Sequence, residues 1–361
     1  MMHPSSKSGG VPAVAVKAMG MSYPWGRLVA GLGVLLLVAV VAAGIGSVRI
    51  PVFDTVRIVL DGFPGIEFAR TWEESSETIL WQLRLPRIVL AGIVGAGLSM
   101  SGATYQGLFR NPLADPYLIG VASGAGLGAV IVLVTPVPTF VQGVGVLPVA
   151  AFIGAMTTVT AAYVIAKSSD GLPLATLILA GVAIASLAGA VMTLLMMQSD
   201  SNLRPVFSWL LGGFLKAQWQ HSAVVLLYLV PSVLVMMAYG RVLNVMQLNE
   251  EHAKQLGVNV ERTKILLIVA ASLATAAAVS FSGLIGFVGL IAPHAVRLMW
   301  GADYRSLIPM AAIVGAAFLI LADLVARTIV SPGELPVGVV TAFCGAPFFL
   351  YLLRYRRHVR M

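Results

Sequence analysis

"GLFRNPLADPYLIG", residues 107–120, puts Arg110, Asn111, Asp115 and two prolines between two apolar runs of a chain otherwise nearly free of charge. Pro112 and Pro116 stop helices, because each lacks an amide donor and its ring clashes with the turn before it. What such a break does depends on its surroundings. Of the 361 residues, 58% are hydrophobic and 11% are charged, and mean hydropathy is +0.92. That leaves too little polar surface to coat a soluble globule, so the chain reads as an integral membrane protein.

Several apolar runs reach the roughly 20 residues that cross about 30 Å of hydrocarbon as a helix. Nothing resembles the alternating strands, about ten residues long, of a membrane barrel. The expected fold is all-α and polytopic, with about ten transmembrane helices. They are placed at 28–47, 87–107, 117–135, 147–166, 175–197, 221–239, 264–280, 283–299, 308–327 and 337–354. Residues 1–26 read as a polar tail, 27–356 as a single transmembrane domain and 357–361 as a second tail. The first run is long for a signal-peptide core and reads as a retained span.

With the first tail inside, most of the 23 Lys and Arg residues fall on inner segments, among them Arg110, Lys254, Arg262, Lys264 and Arg305. Arg49, Arg57, Arg70, Arg84, Arg87, Arg204, Lys216 and Arg327 fall outside. This asymmetry places both termini in the cytoplasm and accounts for a net charge of +8 without a nucleic-acid partner. The single cysteine, Cys344, has no partner for a disulfide within the chain and no companions for a thiolate metal site.

Ser99-Met100-Ser101-Gly102 and Ser280-Phe281-Ser282-Gly283 match at an offset of 181 residues, each followed by a proline, Pro112 or Pro293, ten residues after the glycine. If spans 2–5 and 7–10 are copies, the second enters the membrane from the opposite side, as in the inverted repeats of transporters. Gly120, Gly124 and Gly128, at four-residue spacing, mark a face where helix backbones approach closely, and packing within one bundle explains them better than a dimer motif does.

The chain has no GxxxxGK[ST], HExxH, CxxC or GxSxG signature, so it cannot hydrolyse ATP by itself and shows no catalytic set. No metal site or resident cofactor is expected, and His221 and His294 read as packed or capping residues. Charges near hydrocarbon carry more information, since each costs a few kcal/mol at the bilayer centre. Asp323 and Arg327, spaced i,i+4, read as an ion pair, with Arg327 able to snorkel outward. Arg84 and Arg87, in "LRLPR", open span 2 on the outer face.

Residues 241–264, "RVLNVMQLNEEHAKQLGVNVERTK", form the longest polar break in the second half. Leu243, Val245, Met246, Leu248, Ala253 and Leu256 give an amphipathic pattern, Gly257 reads as a helix stop, and a second turn begins near Val260. Such a compact helical unit suits docking into a groove on another protein, with a helix lying on the membrane surface as the alternative.

Six stretches, "LRLPR", "SGATYQGLFRNPLADPYLIGVASGAG", "LILAGVAI", "LNEEHAKQLGV", "SGLIGFVGLIAPHAVRL" and "ELPVGVVTAFCGAPFFLYLL", together resemble the FecCD-type permeases of ABC importers. Members of that family carry iron-siderophores, haem or cobalamin. The resemblance covers roughly residues 80–356 and implies the type II ABC importer permease architecture. It also implies a homodimer or pair of permeases in the lipid bilayer of a bacterial cytoplasmic (inner) membrane. A cytoplasmic ABC ATPase dimer and a periplasmic or lipid-anchored substrate-binding protein complete the system.

Carried onto this sequence, the resemblance gives "RNPLADP" the role of a structural turn built from Arg110, Asn111, Pro112, Asp115 and Pro116. Arg84, Arg87 and Arg327 match basic positions that pair with acids on the binding protein. Coupling helices over about 243–262 engage the ATPase through Leu248, Asn249, Glu250, Glu251, Ala253, Leu256 and Gly257, with Asn249 standing where the family usually has glycine. Leu174 and Ala175 match the cytoplasmic gate, where small hydroxyl residues can also stand. Spans 5 and 10 would line the pathway, span 5 through Ser186, Met192, Met196 and Met197, with the methionines acting as an apolar lining. The expected cargo is an iron chelate, siderophore or haem, by the family's base rate, with cobalamin as the alternative. An ion-coupled secondary transporter needs a membrane-embedded acid, for which only Asp323 qualifies. An intramembrane enzyme needs a nucleophile and base or a metal cluster, and no such set is present.

Overall fold

The computed structural model describes residues 25–358, apart from 47, 67, 139, 142, 143, 170, 200–202, 331 and 332. Most of the expected tails, at 1–24 and 359–361, therefore lies outside the described residues. Because lipid offers no partner to an amide, a chain this apolar closes its backbone hydrogen bonds within helices. In chain order these are α1 (Trp25–Gly44), α2 (Val52–Asp61), α3 (Glu74–Thr78), a π-helical turn (Ile79–Arg84), α4 (Leu85–Leu108), α5 (Val121–Val134), α6 (Val146–Ala166) and α7 (Leu174–Met197). The second half supplies α8 (Arg204–Leu210), α9 (Trp219–Ala238), α10 (Gly240–Met246), α11 (Glu250–Gln255), α12 (Val260–Ser282), α13 (Val288–Trp300), α14 (Tyr304–Thr328) and α15 (Val337–His358). A two-residue hairpin, β1 (Phe140–Val141) with β2 (Val144–Gly145), precedes α6.

A helix stands at every expected span. Among the described residues, seven helical segments are long and apolar enough to cross a membrane, while α5 and the apolar part of α15, Val337–Tyr351, are shorter. The remaining expected position is filled by the 13-residue α13. Helices α5 and α13 fall short because an irregular segment, 109–120 or 283–287, takes the place of their first turns. Each begins immediately after a residue of left-handed backbone, Gly120 (φ 94°) or Phe287 (φ 69°).

Helix α4 is the most enclosed and packs on α1, α9, α12, α13 and α14. Its polar side chains join the helices. Ser101 Oγ donates to the Ala271 carbonyl (3.1 Å), and the Tyr105 hydroxyl lies 3.2 Å from the Ile268 carbonyl and 2.7 Å from Ser272 Oγ. Hydroxyl bridges of this kind hold helices together where lipid competes for apolar contact.

The two halves repeat by contact. The α5–α6, α6–α7 and α5–α7 pairs have counterparts in α13–α14, α14–α15 and α13–α15, while α4 meets α13 and α14 as α12 meets α5 and α6. Helix α4 ends on the face where α12 begins, since Gln247 Nε2 donates to the Gly107 carbonyl (2.8 Å) and Lys264 pairs with Glu250 (2.9 Å). The copies are therefore inverted. The tetrapeptide match does not give their register: Ser99–Gly102 lies within α4, whereas Gly283 ends α12. Gly120–Val121 and Phe287–Val288 are the equivalent joints instead, at a different offset.

The ends of the helices define two faces. Residues 109–116, 171–173, α10, α11 and the start of α14 share one, called here the α11 face. The opposite, α8 face carries the end of α1, the start of α4 and the 211–213 segment, where the Gly213 amide donates to the Ser282 carbonyl (2.8 Å) and the Val337 amide to that of Gly212 (3.0 Å). Helix α1, which ends on the α8 face, therefore begins toward the α11 face, and α15, which begins beside Gly212, runs toward it.

Gly124, Gly128 and Gly154 let α5 and α6 touch backbone to backbone: a methyl group at Gly128 would strike the Ala150 carbonyl, and one at Gly154 the carbonyl of Gly124. The small-residue face is thus consumed inside the chain. Replacing Gly128 with valine should destabilise the protein by about 1–3 kcal/mol, the usual cost of overpacking. A lowered thermal midpoint in detergent, with Gly189→Ala as a control where a methyl group meets open space, checks this.

Candidate functional site

On the α8 face five charged side chains converge. Arg87 Nε and Nη2 both donate to the Asp323 carboxylate (2.8–2.9 Å), and its Nη1 pairs with Glu334 (2.9 Å). Arg327 Nε lies 3.9 Å from Asp323, while its Nη2 donates to the Ala42 carbonyl. Arg84 Nη1 donates to the carbonyls of Ala43 (2.6 Å) and Gly44 (3.2 Å), and its Nη2 to that of Val48. The last carbonyls of a helix lack partners within it, so Arg84 and Arg327 close the end of α1, where positive charge also suits the helix dipole.

Two expectations change here. The closer partner of Asp323 is Arg87, which the sequence gives no reason to place beside it, and Arg327 is turned inward instead of snorkelling out. Arg84 and Arg327 are only 5% and 9% exposed, so in this chain the arginines matched to docking are engaged internally. The acid a secondary transporter would need is held by two arginines.

On the α11 face, "RNPLADP" folds by local side-chain capture. Asn111 Oδ1 accepts from the Leu113 amide (3.0 Å), and Asp115 Oδ1 from that of Tyr117 (2.8 Å), with Arg110 in left-handed backbone (φ 51°). The turn then leans on the other broken segment: the Tyr117 hydroxyl donates to the Ile285 carbonyl (2.9 Å), Gln106 Nε2 donates to that of Gly289 (3.2 Å), and Pro116 packs against Gly289. Half-buried Asp115 is stripped of water, which pushes its carboxyl up to about 6 despite the amide it accepts.

The 241–264 break forms two short helices. Helix α10 is clipped to α14, with Asn244 Nδ2 donating to Asp303 (2.6 Å) and Asn244 Oδ1 accepting from the Tyr304 amide (2.9 Å). Asn249 caps α11 by accepting from the Glu251 amide (3.4 Å), so asparagine at this position sets the helix start. Gly257, at φ 82°, ends it as expected. Leu243, Met246 and Ala253 face inward, whereas Leu248 and Leu256 stand out, 73% and 67% exposed. Glu250 reaches Lys264 (2.9 Å) and Arg110 (3.8 Å).

Helix α7 begins at Leu174, half-buried, followed by exposed Ala175. An apolar stripe runs on through Leu179, Val182, Ser186, Leu187, Leu194 and Met197. Met192 departs from the expected lining: it is turned toward α5, with its sulfur 3.1 Å from where a methyl group on Gly126 would sit, and Met196 is half-buried. On α15, Phe343, Leu350 and Tyr351 are exposed. His294 packs edge-on against Phe348 and His221 against Phe281.

Sequence reasoning overlooked Glu334, Glu261 and Lys264. The i,i+3 spacing of Glu261 and Lys264 was readable, but their contact with Leu172 was not, since it joins segments 89 residues apart.

The model of the FecCD transport family matches residues 34–355. The cobalamin import system permease protein BtuC of Halobacterium salinarum is 50% identical over 283 residues, 78% of this chain and 75% of that one. The hemin transport system permease protein HmuU of Yersinia pestis is 39% identical over 336 residues, 91% of this chain and 96% of that one. A solved structure titled as an inward-facing conformation of a metal-chelate type ABC transporter matches with a TM-score of 0.79 at 31% identity, covering 91% of this chain and 99% of the other.

Two outcomes follow from the geometry. Arg87→Ala leaves Asp323 short of its principal partner and should cost about 3–5 kcal/mol, whereas Arg87→Ala with Asp323→Ala should cost less than the two single changes summed; thermal unfolding of the four proteins measures this. The raised Asp115 pKa means that the folded state takes up a proton before the unfolded one does, so its contribution to stability grows as pH falls from about 6 toward 3.8. Asp115→Asn keeps an acceptor for the Tyr117 amide. It should be more stable than the wild type at pH 7, with the gap closing by pH 4 in melts across that range.

Proposed function

The chain belongs to the FecCD transport family, and from that premise we propose that it is an importer permease for a bulky metal chelate, driven by ABC ATPases that dock on the α11 face. It is an ABC importer permease carrying no nucleotide-binding motif of its own, so hydrolysis falls to a partner. The observation that carries the docking is the pair Leu248 and Leu256, which project into solvent on either side of the capped helix α11, whose one apolar residue, Ala253, is packed. Burying each in a cleft would contribute about 1.5–3 kcal/mol. On this reading the α11 face is cytoplasmic, as are both termini, and the α8 face meets a substrate-binding protein.

The exposed stripes of α7 and α15 suit a second permease subunit with the pathway between the two copies. Leu174 and Ala175, where α7 meets the α11 face, would then form the inner gate, and alternating access would expose the cavity to each side in turn. For the cargo we favour cobalamin, because the relative at 50% identity is named for it and the relative named for haem stands at 39%. An iron chelate is the second reading, favoured by that haem relative's match along 91% of this chain. The docking role of Arg84, Arg87 and Arg327 is retained in an indirect form: they fix the rim, and Glu334, on the same cluster and more exposed, is presented outward. Ion coupling through Asp323 is disfavoured by its bidentate bond to Arg87.

Reconstitution in liposomes with the partner ATPase inside, and uptake of cobalamin, haem and a ferric siderophore each with its binding protein, tests this. ATP-dependent uptake of cobalamin is the expected result. ATP-dependent uptake of haem or the siderophore alone would reassign the cargo, and uptake driven by an ion gradient without ATP would overturn the importer reading.

A further inference from the structure

Lys264, near the start of α12, is only 4% exposed. Its ammonium has three donors, and three acceptors surround it: Glu250 Oε2 on α11 (2.9 Å), Glu261 Oε1 on its own helix (3.2 Å) and the Leu172 carbonyl (3.2 Å). Glu261 uses its other oxygen, Oε2, to accept from the Leu172 amide (2.9 Å), and Gly171 lies against the same carboxylate. Both backbone polar groups of Leu172 are thus held by α12, while its side chain is buried. Two residues later α7 begins, a reach of at most about 7 Å of extended chain.

This arrangement does not read as ordinary surface pairing. A buried ammonium stripped of one carboxylate is costly, so α11 cannot slide away from Lys264 while the rest of the cluster stays in place. Displacement of α11 instead carries Lys264, Glu261 and the 171–173 segment with it. Among the described residues the helices that pack on α7 are α5 and α6, and the Lys264 cluster directly links α11 to the segment that leads into its first turn. Glu250 also lies 3.8 Å from Arg110, which brings the turn after α4 into the same unit.

We propose that Lys264 is a positioning residue that joins the ATPase-facing helix α11 to the start of α7, delivering motion of α11 to Leu174 and Ala175. The inference rests on the importer reading for the source of the motion, but the link itself is a property of the chain.

Two measurements on Lys264→Met, with Lys264→Arg as the conservative variant, test it. In the purified permease, hydrogen exchange should rise in a peptide spanning 168–177 and stay at wild-type levels in α4 and α14. In the reconstituted transporter, uptake per ATP hydrolysed should fall about tenfold, a coupling loss of ordinary size. Lys264→Arg should restore most of both. A wild-type ratio of uptake to hydrolysis in Lys264→Met overturns the proposal. So does exchange that rises throughout the bundle with uptake and hydrolysis lost in proportion, because Lys264 would then serve folding alone. If the wild type itself shows no ATP-driven uptake, the importer reading fails separately, and exchange at 168–177 alone decides whether Lys264 holds that segment.

Discussion

Hydrocarbon offers no partner to an amide or a carbonyl, and the two places where this chain leaves the helix within the bundle, 109–120 and 283–287, lean on each other for what lipid withholds. Tyr117 reaches the Ile285 carbonyl, Gln106 reaches that of Gly289, and Asn111 and Asp115 take up amides of their own turn. The two breaks are braced against each other, with Pro116 packed on Gly289. Their mutual support fixes where α5 and α13 start, and with them the crossing of the two inverted halves.

The same constraint explains the arginines. The end of α1 needs acceptor-satisfying cations, and Arg84 and Arg327 supply them from elements far along the chain. The α8 face is thereby tied to α1 and α14, while Arg87 pairs with Asp323. On the α11 face the charges are spread differently. Arg110, Glu250, Lys264 and Glu261 bridge four separate segments, so that face is joined by a few polar contacts between elements that pack lightly on one another.

Much of this was legible from the sequence, because apolar length and helix breakers report directly on what a membrane demands. All ten span positions, the glycine contact face, the stop at Gly257 and the helical 241–264 unit follow from local pattern. What local pattern could not supply was pairing at long range: Arg87 finds Asp323 across 236 residues, and Glu261 finds Leu172 across 89. The repeat was visible for the wrong reason, since the serine-glycine match occupies different places in α4 and α12, while the tripeptide that the true joints share, Leu-Ile-Gly at 118–120 and 284–286, went unread. Met192 was misplaced because a helix as apolar as α7 shows little contrast between the side that packs and the side that does not.

The central claim is that the start of α7 changes position when ATP is bound on the α11 face. On the proposed pairing of two permease copies, spin labels at Ala175→Cys, in a Cys344→Ala background, measure it as a distance between the copies. The account predicts distinct distance distributions with and without ATP under non-hydrolysing conditions. A single distribution, unchanged by nucleotide in a complex that still transports, would contradict it.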